Sequence, residues 1–574
     1  MRYVIGRVIE VSSGEVTLVL EGESLDDMGN RRGVPDSMEI AVMTENGPVP
    51  LLVGQPGSFA GIGLPSGTMI GTVTSVRMVE AVPTSGDRRY AGEESGVPVL
   101  ESRRLLTLVP VGRFRSDGSF ERGSDILPTV NAEAYAVEPN RIASIYRSVS
   151  GTNFSVGSLS ILPAQRAYVD LDVLLGRHAA VVGQTGAGKS WTIASVLQRI
   201  AKLPRSSVLL LDLHGEYEAV FGDDAAYVSA GDIELPYWLM NFEELVGICI
   251  DRGEHTAPNQ IAKFRDLVQK EKEAAAAREH LRLPKVTLDT PVYFGLDSII
   301  GELRKLDVEM VISASTGKPK QGDYFGNFSR MIMRLESRLN DRRYDLIFKP
   351  KTYTSSASME RLFRTLLGEG DPPKKIVVLD VSPVPFDVRT SVISLVLRLV
   401  FDFAYWHRRS QGKEYPVLVV CDEAHAYLND NSDSSAASRL AAERIAKEGR
   451  KYGVGLMVVS QRPRELSSTL LSQCNTFVCL RLTNPDDQSF VKSLLPDSVR
   501  GIVDMVASLR RGEAVVLGES VIMPTRVTID PPDPHPNSND ISFVRNWSCP
   551  GVQVAFADVI DEWRRQGVDR SSQP

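Results

Sequence analysis

Residues 181–190 read Val-Val-Gly-Gln-Thr-Gly-Ala-Gly-Lys-Ser, and this stretch decides the fold. It matches G-x-x-x-x-G-K-[ST], a pattern in which glycines let backbone N–H groups converge on phosphate oxygens at the start of a helix. A short apolar, β-branched run precedes it over 177–182, and apolar residues at helical spacing follow it over 191–200. The sequence therefore predicts a nucleoside triphosphate site. A glycine-rich turn that binds no ligand is the alternative.

The motif assigns a role to each of its positions. The residues expected to contact the nucleotide are Gly183, Gln184, Thr185, Gly186, Ala187, Gly188, Lys189, Ser190 and Trp191. We expect Lys189 to reach the β- and γ-phosphates and the hydroxyl of Ser190 to ligate Mg²⁺. The predicted cofactor set is thus a nucleoside triphosphate with magnesium.

The composition is that of a globular protein with several domains. The 574 residues are 43% hydrophobic and 24% charged, and 574 residues are enough for two to four domains. No uninterrupted apolar run approaches the roughly 18 residues of a membrane span, and the N-terminal residues lack a signal-peptide core. Five cysteines are dispersed without a C-x-x-C pair, which is typical of a reducing compartment. We expect a cytoplasmic protein with no membrane partner.

The net charge of −7 excludes a globally basic surface. It does not exclude nucleic acid, because a ring that encloses DNA needs only a narrow basic lining. Charge therefore does not decide between DNA and other partners.

Residues 1–135 are predicted to form a small β-barrel that serves assembly or partner docking. Short β-branched runs are separated there by Gly, Pro and Ser, and no motif in them indicates chemistry. A connecting stretch follows over 136–165.

Residues 166–530 are predicted to form the catalytic core. Apolar strand-like runs alternate with helical patterns, which indicates a mostly parallel sheet with helices on both faces. The stretch 241–345 is expected to be a helical insertion in this α/β core. Residues 531–574 are proline-rich and are expected to be extended, with one helix-like piece over 552–563.

A pair of adjacent carboxylates, Asp422 and Glu423, follows the apolar run 417–421. We expect Asp422 to hold the Mg²⁺ shell opposite Ser190, and Glu423 to polarise the attacking water. Four hydrophobic residues followed by Asp-Glu also occur by chance. Together with an upstream phosphate loop, the pair favours hydrolysis over kinase chemistry.

Three more polar residues are candidates for catalysis. Gln461 ends the strand-like run 455–460, where it can report the state of the γ-phosphate or merely cap the strand. Arg450 ends a predicted helix, where it can act on the nucleotide of a neighbouring subunit, as a trans arginine finger, or merely offset the helix C-terminus. Arg177 is a second candidate for the finger. His214 and Glu216 either contact the site or shape their loop.

These motifs, in this order, resemble the HerA group of the FtsK–HerA ring ATPases. The matching stretches are 177–178, 183–190, 212–217, 235–240, 421–425, 448–454 and 460–463, followed by 481–485. The N-terminal region resembles the assembly barrel of that family in position and β character.

The resemblance implies a RecA-like core and a homo-hexamer that uses ATP and Mg²⁺ to move double-stranded DNA through a central pore. It also implies a partner, either a NurA-type nuclease or another effector such as a sirtuin-like NAD-consuming enzyme, in DNA end processing or anti-phage defence. Two rival functions stay open: an ATP-gated ring that assembles and activates an effector with little translocation, and a secretion or conjugation ATPase.

Overall fold

The computed structural model describes residues 3–12, 14–25, 28–29, 31–44, 47–81, 101–123, 125–147, 154–229, 233–313, 317–537, 543–548 and 555–565. The chain forms two compact units. The first comprises Met1–Lys202, Glu423–His425 and Gly455–His535, and the second comprises Leu203–Asp422, Ala426–Val454 and Pro536–Pro574. The phosphate loop and Glu423 therefore belong to the same unit.

The first unit begins with a run of strands. They are β1 (Val4–Val11), β2 (Val16–Leu20), β3 (Ser24–Leu25), β4 (Arg31–Arg32), β5 (Glu39–Thr44), β6 (Gly47–Leu52), β7 (Phe59–Leu64), β8 (Gly67–Ala81), β9 (Glu101–Arg115), β10 (Phe120–Arg122) and β11 (Glu133–Ala136). Antiparallel pairing links β9, β2, β1, β11, β7 and β8 in that order, and β8 pairs back onto β9. This closed ring confirms the predicted small barrel.

The barrel interior is filled by side chains that alternate along its strands. Ile5, Leu18, Ile62, Met69 and Leu106 are buried in one cluster, as the two-residue period of a strand requires. The β-branched runs within residues 1–135 did not predict β7 or β11 as strands, because β7 contains two glycines and β11 begins with a glutamate. Both strands are needed to close the ring.

The strands that follow the barrel belong to the α/β core. They are β12 (Ser155–Leu159), β13 (Leu162–Tyr168), β14 (Ala179–Val182), β15 (Val208–Asp212), β16 (Ala225–Ser229), β17 (Met310–Ile312), β18 (Pro319–Gln321), β19 (Ile376–Asp380), β20 (Val417–Cys421), β21 (Val454–Ser460), β22 (Thr476–Cys479), β23 (Glu513–Gly518) and β24 (Thr525–Ile529).

The helices lie between and after these strands. They are α1 (Pro139–Arg147), α2 (Leu171–Gly176), α3 (Lys189–Ile200), α4 (Phe242–Cys249), α5 (Ala257–Arg278), α6 (Leu296–Asp307), α7 (Ser329–Asn340), α8 (Asp345–Phe348), α9 (Met359–Leu366), α10 (Phe386–Gln411), α11 (Ala436–Glu448), α12 (Ser468–Ser472), α13 (Pro485–Leu494), α14 (Asp497–Val503), α15 (Phe543–Ser548) and α16 (Phe556–Arg565). In the described part of the chain, none of them has the length and apolarity needed to cross a membrane.

In the first unit the strand order is β13-β12-β24-β23-β22-β14-β21. Strand β14 pairs in parallel with β21 on one side and β22 on the other, and all four of its residues are buried. The pairs from β22 out to β13 are antiparallel. The segment predicted as a connection thus contributes α1 and the strand β12.

In the second unit four strands follow the order β20-β15-β19-β16. The pairings of β15 with β20, β15 with β19 and β16 with β19 are parallel. All five residues of β15 and of β20 are buried, which explains their near-continuous apolar sequences. The predicted α/β fold with a mostly parallel sheet is confirmed.

The stretch predicted as a helical insertion contains α4, α5, α6 and α7, but it also contains a hairpin. Strands β17 and β18 pair antiparallel, and Gly317 has a φ of 64° between them. Their three-residue strands are too short to give a period-2 signal in the sequence. At the C-terminus, α16 overlaps the predicted helix-like piece 552–563, whose first three residues lie outside the described residues.

Candidate nucleotide site

The phosphate loop connects β14 to α3. Gly186 has a φ of 74° and Gly188 a φ of 105°, which L side chains rarely adopt. A Cβ on Gly183 would lie 2.8 Å from the Cβ of Leu480, so this position also tolerates little more than glycine. The glycine spacing of the motif therefore reflects backbone geometry in this chain.

The loop leads into a twelve-residue helix whose N-terminus favours anions. Gly188 is the N-cap of α3 and has no side chain to bond the first-turn N–H groups, which stay available to a ligand. The aligned peptide dipoles add a partial positive charge at the same point. Lys189 and Ser190 are the first two residues of this helix. The arrangement can therefore bind phosphate.

Neighbouring strand ends hold the loop in place. The N–H of Gln184 donates to the carbonyl of Arg481 at 2.9 Å, and its side-chain carbonyl accepts from Thr483 Oγ1 at 2.6 Å. The hydroxyl of Thr185 donates to Oε1 of Gln461, which directly follows β21. Gln461 thus touches the phosphate loop itself.

Lys189 faces Glu423 in the same unit. Its Nζ lies 3.8 Å from Oε1 of Glu423, and the two side chains are only 7% and 15% exposed. At this distance and burial each charge offsets the other. The phosphate loop and the segment Glu423–His425 thereby place a cation and a carboxylate side by side.

The backbone of Glu423 is in the left-handed region, with a φ of 44°. A non-glycine residue in that region costs on the order of 1–3 kcal/mol, and such residues concentrate at functional sites. No feature of the run 417–423 could have indicated this conformation.

His425 is a site residue that the sequence identified only as part of a matching stretch. Its Nδ1 lies 3.3 Å from Oε2 of Glu423. Burial lowers the pKa of His425, and Arg462 and Lys189 lower it further, while Glu423 and Glu465 raise it. Burial dominates, so the imidazole is neutral at pH 7.

Asp422 ends the apolar run in the second unit and is 3% exposed. Its Oδ2 accepts a hydrogen bond from the hydroxyl of Tyr217 at 3.0 Å. Its backbone carbonyl accepts another from the Tyr427 hydroxyl at 2.9 Å. Tyr217 therefore fixes the carboxylate of Asp422, and Tyr427 fixes its backbone.

The loop that carries Tyr217 is folded around one carboxylate. Oδ1 of Asp212 accepts the N–H groups of His214, Gly215 and Glu216 at 2.9–3.2 Å, and Oδ2 accepts that of Tyr217 at 3.1 Å. Burial raises the pKa of Asp212 despite these four donors. The geometry shows how the loop of His214 and Glu216 is shaped: their backbone amides are held by Asp212.

The two arginine candidates lie in different surroundings. Arg177 is the C-cap residue of α2 and forms an ion pair with Glu519. Arg450 lies in the 3-10 turn Gly449–Tyr452 that follows α11, and it is exposed. Among the described residues Arg450 has no ion pair, so its charge is available to a ligand or a second chain.

Comparison with known proteins shows a similarity to HerA helicases. Residues 154–400 match the family model "Helicase HerA, central domain". The DNA double-strand break repair helicase HerA of Saccharolobus solfataricus is 28% identical over 410 residues, which cover 71% of this chain and 74% of that protein. The probable DNA double-strand break repair helicase HerA of Methanocaldococcus jannaschii is 29% identical over 488 residues, covering 80% and 89%.

This chain is an ATP-hydrolysing enzyme that is similar to HerA helicases. Its relatives also include the HerA helicase of Pyrococcus furiosus, 26% identical over 80% of this chain and 85% of that protein. Among solved structures, VirB4 of Thermoanaerobacter pseudethanolicus superposes with a TM-score of 0.46 and 16% identity, covering 66% of this chain and 97% of VirB4. The plasmid coupling protein TrwB, in complex with ADP and Mg²⁺, has a TM-score of 0.39 and 13% identity, covering 69% and 92%.

Two further residues of this ATPase lie beside the start of α3, and the sequence patterns did not single them out. The ring of His535 stacks on that of Trp191, and the guanidinium of Arg511 lies over the Trp191 ring. Both are far from Trp191 in sequence, so no local spacing could have identified them.

Proposed function

We propose that this ATP-hydrolysing enzyme is a homo-hexameric ring that moves double-stranded DNA through a central pore. The observation that carries the proposal is the Lys189–Glu423 pair at 3.8 Å, since it joins a phosphate-binding cation to a candidate base. The relatives named DNA double-strand break repair helicases support DNA as the substrate.

Each residue of the site then has a task in hydrolysis. Lys189 and the N–H groups at the start of α3 neutralise the β- and γ-phosphates of ATP. Glu423 orients the attacking water and accepts its proton, with neutral His425 beside it at 3.3 Å. Gln461, through Thr185, senses whether the γ-phosphate is present and passes this to β21.

Magnesium fits the oxygen donors present. The hydroxyl of Ser190 and the carboxylate of Asp422 would hold it, with the remaining ligands from water and phosphate, as Mg²⁺ usually prefers. Its charge, when it is bound, neutralises the phosphate oxygens. Among the described residues no group of three or more His, Cys, Asp or Glu could hold a metal ion, and a magnesium site of this kind needs no such group.

The assembly completes the site. A trans arginine finger from the neighbouring subunit stabilises the charge that develops on the γ-phosphate, and exposed Arg450 is the first candidate for it. Arg177 is the second candidate, and it would first have to leave Glu519.

The remaining parts of the proposal concern partners. We assign DNA cutting or NAD consumption to a separate effector, either a NurA-type nuclease or a sirtuin-like enzyme, and docking to the barrel of residues 1–135. The setting is the cytoplasm, in DNA end processing or anti-phage defence.

Translocation is tested by the ATP-dependent displacement of a third strand from a DNA triplex. We expect the wild-type chain to displace the strand and to hydrolyse ATP faster with duplex DNA. Glu423→Gln should do neither, while Glu302→Gln, a change at a half-exposed residue of α6, should do both.

The rival functions predict different results in the same assays. ATP hydrolysis that DNA leaves unchanged, without displacement but with ATP-dependent activation of an effector, would favour the scaffold. Stimulation by membrane vesicles instead of DNA would favour the secretion or conjugation ATPase.

A further inference from the structure

Trp191 lies where the triphosphate-binding segment ends. It is the third residue of α3 and follows Ser190 directly. Its ring stacks on His535 with centroids 5.3 Å apart and planes 20° apart. The buried indole N–H has no hydrogen-bond partner among the described residues.

Arg511 is brought to the same place by the phosphate loop. The N–H of Gly512 donates to the carbonyl of Ala187 at 3.2 Å, which fixes the turn 510–512 against the loop. From there the Arg511 guanidinium carbon lies 5.8 Å from the centre of the Trp191 ring. Arg511 is exposed and forms no ion pair within the described part of the chain.

His535 is the last residue of the segment 530–535, which we call the strap. The N–H of Asp533 donates to Oε1 of Gln198 at 3.0 Å, and Nε2 of Gln198 donates back to the carbonyl of Pro534 at 2.8 Å. Asp530 anchors the start of the strap through ion pairs with Arg166 and Arg199. Three prolines in the strap restrict its backbone, so His535 is held over α3 while its own ring stays exposed.

We propose that Trp191, His535 and Arg511 form the subsite for the base of the bound nucleotide. The inference rests on the proposed binding of ATP at the phosphate loop, which anchors the triphosphate one residue before Trp191. A nucleobase needs a flat, partly apolar surface, and the stacked pair supplies one next to that anchor. The Arg511 cation adds attraction to the face of a ring.

The subsite is tested by comparing ATP with inorganic tripolyphosphate, which has the phosphates and no base. Isothermal titration calorimetry on the full chain with Mg²⁺ gives both dissociation constants. Trp191→Ala and His535→Ala should each weaken ATP binding by about 5- to 150-fold, the range for removing one ring on which a base stacks. Tripolyphosphate binding should be unchanged, and Trp191→Phe should retain most of the ATP affinity.

Matched controls are Trp547→Ala and His255→Ala, which remove the same residue types from exposed positions elsewhere. The inference would be overturned if both variants bound ATP like the wild type, or if both lost the two ligands equally. A wild type that binds the two ligands equally well would refute the subsite and leave the phosphate site intact. A wild type that binds neither would refute the proposed function and the subsite with it.

Discussion

Replacing Glu423 with glutamine separates two roles of this carboxylate. Glutamine keeps the size and shape of the side chain but has no charge to offset Lys189 and no basicity to activate water. In the nucleotide-free enzyme Glu423 competes with phosphate for Lys189, because Oε1 lies 3.8 Å from Nζ. We therefore expect Glu423→Gln to bind ATP more tightly and to hydrolyse it more slowly.

The size of both effects follows from the geometry. Unit charges at this separation attract by about 4 kcal/mol at an effective dielectric constant near 20, and the hydration that the two partly buried groups give up offsets most of it. A net remainder of about 1.4 kcal/mol would tighten ATP binding about tenfold. Removing a positioned general base slows hydrolysis by at least about 100-fold.

The assay measures ATP dissociation constants by calorimetry and hydrolysis by single-turnover quench, with Mg²⁺ in both. Glu302→Gln is the matched control, since that carboxylate is half-exposed and pairs with Lys305, three residues later in α6. A Glu423→Gln variant that turns over at the wild-type rate would refute the assignment of the base. One that cannot bind ATP would show that the carboxylate serves the structure of the site.

Three more outcomes are expected. Lys189→Ala should abolish ATPase activity, since it removes the cation that faces the β- and γ-phosphates; turnover near the wild-type rate would refute the site. If Arg450 is the finger, Arg450→Ala should slow hydrolysis by about 10³–10⁵-fold. Mixing Arg450→Ala subunits with Lys189→Ala subunits should then restore some ATPase activity. If mixed rings, confirmed by mass, show no recovery, action in trans is excluded. The pKa of His425 is held below its ordinary value by burial, so the unfolded chain binds more protons at mildly acidic pH. The stability that His425 contributes is thus present above about pH 6.5 and is lost as the pH falls through the lower folded-state pKa. As the pH is lowered, the thermal unfolding midpoint of the wild type should therefore fall more steeply than that of His425→Asn. Equal slopes of midpoint against pH would contradict this prediction.

The phosphate loop was predictable because its geometry depends on residues that are close together in the sequence. Glycines at fixed offsets between an apolar run and a helical pattern determine the course of the chain over 183–190, and the structure has these elements. The small barrel was predictable in kind from its short β-branched runs. Its closure was not, because it depends on the long-range pairing of β8 with β9 and on the glycine-rich β7.

The residues that surround the phosphate loop could be predicted only in part from the sequence. Sequence spacing named Lys189 and Glu423 separately, but their 3.8 Å approach depends on how strands distant in sequence are ordered. The positive φ of Glu423 has no sequence signature, because any residue type that follows a strand can be forced into it by its surroundings. His535 lies 344 positions from Trp191, beyond any periodicity argument.

The four amide hydrogen bonds to Asp212 have a consequence for divergence among homologues. Among the described residues, the carboxylate accepts hydrogen bonds from the backbone N–H groups of residues 214–217, so Asp212 closes this loop through the main chain. Gly215, with a φ of 71°, is constrained by its backbone, and Tyr217 by its bond to Asp422. Over evolutionary time the aspartate, the glycine and the tyrosine should therefore change together or not at all, while closure of the loop by Asp212 requires only a backbone N–H at positions 214 and 216.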